Sequence, residues 1–173
     1  MRDKKVLSQL SNDIPNFARN PSFCRIVRFF LFESPVDDAS YRGRTFSKQG
    51  WRGSKFSTLK SLLLKSATAE LKDHYHPCPK AQLESFFKLS ENFNCEYCVF
   101  LVGDGRVIES LFRSIRNALA HGSFDVRKYK GERVYFFANF DKCLKAKIIL
   151  KEKTLLSWID VFYTDPGKAN KKG

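Results

Sequence analysis

The segment from Val107 to Gly122 constrains the chain more than any other, because its apolar residues repeat with a period that an α-helix satisfies. Val107, Ile108, Leu111, Phe112, Ile115, Ala118 and Leu119 follow the i, i+1, i+4, i+5, i+8 spacing of one buried helical face. At about 100° per residue these side chains fill one arc of the helical wheel. The opposite arc carries Arg106, Glu109, Ser110, Arg113, Arg116, Asn117 and His121. Asp104 is placed to cap the start, and Gly122 to take the left-handed position just past the end. His121 then falls in the last turn, beside the helix's unpaired carbonyls. Asn117 and His121, four residues apart, are neighbours on that surface. A solvated helix face with a terminal histidine is one reading of this pattern. The other is a site, since a permanently charged cation, a polar positioner and a group titrating near neutrality stand together.

Charge bears on that choice. The chain has 31 Lys and Arg against 18 Asp and Glu, a net charge of +13 that points to an anionic partner such as nucleic acid or a membrane surface. At 173 residues and 43% hydrophobic it is one domain-sized unit with enough apolar side chains for a core, and its seventeen Phe read first as core packing. No apolar run reaches the length of a membrane span, and Met1–Lys5 leads into no signal segment. A soluble cytoplasmic protein is therefore expected, with no membrane partner. Five loosely spaced Cys fit reduced thiols.

Periodicity along the rest of the chain predicts amphipathic helices over 4–14, 22–33, 54–73 and 80–91, with Pro77 and Pro79 ending the third. Beyond Gly122 the pattern changes. Residues 134–140 and 145–151 read as two strands joined by a turn over 141–144, and 154–163 as a last helix with Leu155, Leu156, Trp158, Ile159 and Phe162 inward. The domain runs over 1–164, and 165–173 is a polar basic tail.

Two further groups of residues carry chemistry. His74, His76 and Cys78, followed by Cys95 and Cys98, provide five ligand types suited to zinc, with Cys-x-x-Cys spacing for half of a tetrahedral site. The alternative is an interhelical loop with a buried Cys pair, which the apolar run Val99–Val102 favours, so no metal or other cofactor is assigned. The stretch from Tyr41 to Lys55 interleaves Arg42, Arg44 and Lys48 with Tyr41, Phe46 and Trp51. That mixture suits RNA, where rings stack on bases and cations meet phosphates; its plain alternative is a surface loop whose rings tuck into the core. Arg113, Arg127, Lys128 and Lys130 are further candidate phosphate contacts. Paired-carboxylate catalysis, a Ser–His–Asp arrangement and a phosphate-binding glycine loop find no support, and Gly103–Gly105 reads as a turn before a helix.

Ile115-Arg-Asn-Ala-Leu-Ala-His-Gly122 resembles the signature of HEPN domains, in which Arg, a polar residue and then His stand near the end of a helix. The resemblance is specific over 104–124 and fair from there to Phe162. It is similar to prokaryotic HEPN proteins of toxin–antitoxin and phage-defence settings. It implies a mainly α fold, an antiparallel helical bundle with a small C-terminal β-hairpin and a final helix. It also implies a homodimer with both motifs in one cleft, an antitoxin or regulatory protein as partner, and metal-independent cleavage of RNA. Carried over, Arg116 stabilises the phosphate, Asn117 orients Arg116 or the substrate, and His121 is the acid or base. Proton removal from the 2′-OH and protonation of the leaving 5′-oxygen give 2′,3′-cyclic phosphate and 5′-OH ends. Other family members are inactive and bind RNA or protein, which is the alternative expectation here. A branch with a Tyr two residues after the His is modified by a partner enzyme; position 123 here is Ser, which argues against that control.

Overall fold

The computed structural model describes residues 19–36, 43–88, 95–103 and 106–169. The expected helix over 4–14, the Asp104 cap, Tyr41 and Arg42 lie outside them.

Asn20 caps the first described helix, its side chain accepting from the Phe23 N–H at 3.1 Å, and Pro21 takes the first helical position. This helix, α1 (Pro21–Arg28), continues as a π-helical turn over Phe29–Glu33. The stretch expected as one helix over 54–73 is two, α2 (Lys55–Ser66) and α3 (Ala69–Asp73). The break has a cause: Thr68 turns its N–H and hydroxyl onto the buried carboxylate of Glu96, which also accepts the Lys151 N–H at 2.8 Å. Next come β1 (Tyr75–Cys78), α4 (Lys80–Lys88), β2 (Tyr97–Leu101) and α5 (Val107–Ala120). The chain closes with β3 (Phe124–Tyr129), β4 (Glu132–Asp141), β5 (Cys143–Lys151), α6 (Glu152–Tyr163) and the short α7 (Pro166–Ala169). Part of the expected tail is thus ordered, with Pro166 buried beside Gly50.

The five strands form one mixed sheet in the order β1-β2-β5-β4-β3, with β1 parallel to β2 and every other pair antiparallel. This overturns the mainly α helical bundle: the fold is α/β, and the expected hairpin (β4–β5) is the centre of a larger sheet. Three strands escaped the sequence reading for physical reasons. In β1, Pro77 looked like a helix breaker, but an edge strand tolerates proline. In β2, Tyr97 to Phe100 are all buried, so the alternation that marks a strand is absent. β3 (FDVRKY) is a polar edge with charges that hinder pairing to another chain.

Side chains on one face of the sheet, Cys98, Phe100, Tyr135, Phe137, Ala146, Ile148 and Leu150, join the main core under α1, α2, α5 and α6. Phe112 sits among rings there, with centroids 5.4 Å from Phe30, 5.8 Å from Phe46 and 6.0 Å from Phe29. The indole N–H groups of Trp51 and Trp158 are spent on the carbonyls of Phe162 and Leu63. On the other face a smaller cluster of Cys78, Leu83, Tyr97, Val99, Val134 and Ile149 forms where α4 packs on β1 and β2. Among the described residues no helix is long and apolar enough to cross a membrane.

Candidate functional site

Helix α5 buries the face that its spacing predicts, with Ile108, Leu111, Phe112, Ile115, Ala118 and Leu119 inward. Its end is a Schellman turn. Ser123 N–H reaches the Ala118 carbonyl at 2.8 Å, Gly122 N–H reaches that of Leu119 at 3.2 Å, and Gly122 has φ +66°. That geometry puts His121 at the C-cap and leaves it exposed. Arg116 Nη1 donates to Asn117 Oδ1 at 3.1 Å, so the two motif residues are joined directly. Arg116 Nε is buried and, among the described residues, has no hydrogen-bond partner. A guanidinium donor removed from water without an acceptor is costly.

The polar face of α5 borders a groove of about 460 Å³, lined by Arg106, Ser110, Arg113 and Asn117 with Asn139 and Lys145 opposite. Glu109, read from the sequence as exposed, is buried beside this groove and holds Arg106 and Arg113 at 3.0 Å each. Asn139 and Lys145 come from the sheet and escaped the sequence reading. Asn139 pairs with Ala146 and Phe140 with Leu144, so Lys145 is the extra residue of a β-bulge. A bulge turns successive side chains to the same side, which explains why Lys145, on a strand whose odd positions otherwise face away, lines the groove. Its ammonium is paired with Asp141. Of the three motif residues only Asn117 lines this groove; Arg116 and His121 lie outside its lining.

The other candidates are dispersed. Phe46 and Trp51 are buried in the core, so the 41–55 loop does not offer these rings to bases; Arg44 donates to the Tyr163 hydroxyl at 2.7 Å and lies over its ring. Arg127, Lys128 and Lys130 stand along β3 and its turn; Lys130 is six residues past Phe124, roughly 20 Å along an extended strand. Cys78 and Cys98 project to opposite faces of the sheet and cannot share a metal. His76 stacks on Phe86 at 4.5 Å. Burial pushes the Cys98 thiol well above its ordinary range, with the Glu96 carboxylate adding to the effect. Among the described residues no group of three or more His, Cys, Asp or Glu is placed to hold a metal ion. No protein-family model, curated protein or solved structure matches the chain.

Proposed function

We propose that the chain is a metal-independent endoribonuclease whose working residues are Arg116, Asn117 and His121 at the end of α5. The observation that carries this reading is the Arg116 guanidinium, fixed by Asn117 and with a buried Nε that has no partner among the described residues, on the helix whose C-cap is the exposed His121, in a chain of net charge +13. Arg116 would take two oxygens of the scissile phosphate and stay charged at any working pH. Asn117, on the wall of the groove, holds Arg116 in place and faces the strand. His121 moves the proton, and its counterpart in a second copy supplies the complementary acid or base. The RNA strand enters along Arg106 and Arg113. The HEPN resemblance is carried by α5 and its terminus, and the α/β scaffold around them differs from the family's bundle. Activity of this kind fits a cytoplasmic toxin or phage-defence effector restrained by a partner.

A second reading, a module that binds RNA without cutting it, is favoured by one feature. Among the described residues the His121 imidazole has no hydrogen-bonded carboxylate or carbonyl to fix its tautomer. An RNA cleavage assay with chelator present, comparing wild type with Arg116→Ala and His121→Ala, separates the two. Cyclic-phosphate ends made by wild type alone support the nuclease. Intact RNA from a folded, dimeric wild type rejects it in favour of the binding module.

A further inference from the structure

The buried polar groups of this protein are concentrated in one place. Among the described residues six polar or charged side chains are buried, and three of them, Glu109, Ser114 and Asn139, line the groove between α5 and the sheet. The inner row of β4 brings Asn139 there. Alternation turns Tyr135, Phe137 and Asn139 to the same side, and the first two are sealed in the core. Asn139 stands where an apolar residue would extend that row, yet it is only 7% exposed. Ser114 reaches the same groove from α5 at 4%. Neither side chain has a hydrogen-bond partner among the described residues, and neither is fully shut from solvent, so the groove is the opening onto which they face. The buried Glu96, by contrast, spends its carboxylate on three donors of the chain itself. A nearly buried amide without a partner lowers stability, so packing alone does not account for Asn139.

What the groove offers defines its occupant. The Asn139 amide presents a donor and an acceptor side by side, and Ser114 a hydroxyl. Asn117 adds the NH2 group left over once its oxygen has accepted from Arg116. Glu109 fixes Arg113 through one bond at 3.0 Å, which leaves the rest of that guanidinium fork available. The same carboxylate braces Arg106, so one negative charge serves two cations. A lone phosphate or a carboxylate only accepts, and would leave Asn139 Oδ1 without a donor. An adenine edge carries the N6 donor beside the N7 acceptor, which an asparagine amide meets with two bonds, while the attached phosphate suits a guanidinium. The volume of about 460 Å³ is in the range of roughly 300–1,000 Å³ typical of ligand pockets and far above the roughly 30 Å³ of one water.

We propose that the groove between α5 and the β4–β5 bulge takes one unpaired adenine nucleotide of the RNA, its base edge on Asn139 and its phosphate on Arg113. This rests on RNA being the ligand, and it adds which base is read. Asn139 is then a specificity-determining residue outside the motif. It is linked to the motif through Asn117, which lines the same groove and holds Arg116.

Fluorescence anisotropy on His121→Ala protein, so that the probes survive, compares a labelled uridine 12-mer with the same 12-mer carrying one central A, C or G. The A probe should bind about tenfold more tightly than the others. Adding Asn139→Ala should bring the A probe down to the uridine level, while the thermal midpoint holds or rises. Asn139→Asp, an acceptor only, should move the preference from A to C, a change that damage to the fold does not produce. Arg113→Gln, with the fold checked by circular dichroism, should weaken all four probes alike and lower the salt slope by about one. Absent or equal binding of the four probes by the parent overturns the proposal, and so does an A preference that survives both Asn139 variants. Competition by free AMP as strong as by the A probe assigns the groove to a free nucleotide and overturns it too. Cleavage by wild type at sites indifferent to adenine removes this inference and leaves the nuclease. An A preference that depends on Asn139, with no cleavage by wild type, does the reverse.

Discussion

The two faces of the sheet are made from alternate residues of the same strands, yet they are built for different ends. Inward, Tyr135, Phe137, Ala146, Ile148 and Leu150 are sealed under four helices. Outward, Phe136, Ala138, Phe140 and Lys147 keep contact with solvent, and Arg127 covers one ring. A period of two makes this division strict, since a slip of one residue would exchange the faces. The exception is the bulge at Asn139/Phe140, where one extra residue brings Lys145 onto the inner side and into the groove beside Asn117. The lesson is that the core is built from the inner face, while the outer face and the bulge carry the charged side chains.

The sharpest way to break the contrast is to cut the inner face. Phe112→Ala removes a ring packed against three other phenylalanines and should cost about 3–5 kcal/mol of unfolding free energy in urea denaturation. Glu96→Gln comes next. Its carboxylate ties the α2–α3 break to β5 through three donors, and losing the charge-assisted bonds should cost about 1–3 kcal/mol, read the same way. Gly122→Ala tests the turn that presents His121. No atom lies within 4 Å of an added Cβ, so only the positive φ opposes it, at about 1 kcal/mol, and the thermal midpoint should fall by a few degrees. On the outer face the expected effect is smallest: Lys147→Val should leave stability within about 0.5 kcal/mol of wild type, or raise it. A large loss from Lys147→Val would show that the lysine is structural and would erase the distinction between the faces.

How much of this was legible varies with the range of the forces involved. The buried face of α5, its glycine-terminated end and the β4–β5 hairpin follow from spacing over a dozen residues, and they stand as read. Arg116, Asn117 and His121 were singled out on the same local grounds, and the structure joins Arg116 to Asn117 directly. Glu109 was misplaced because its burial depends on Arg106 and Arg113 folding over it, which the wheel alone does not encode. β1 and β2 were missed because their partners are distant: Tyr75 meets Cys98, and Tyr97 meets Ile149. The rings of the 41–55 loop looked like a binding surface because composition does not say which side of a loop the core takes.

Local periodicity and turn chemistry thus decided helix α5, the placement of His121 at its end and the hairpin, because each is stabilised mainly by neighbours within a few turns. Tertiary structure alone decided that a sheet replaces a bundle, that Lys145 joins the groove through a bulge, and that Lys147 stands in mid-sheet. Those outcomes depend on which strands lie side by side. Strand neighbours are chosen by burial and hydrogen bonding between residues far apart in the chain, which no local pattern records.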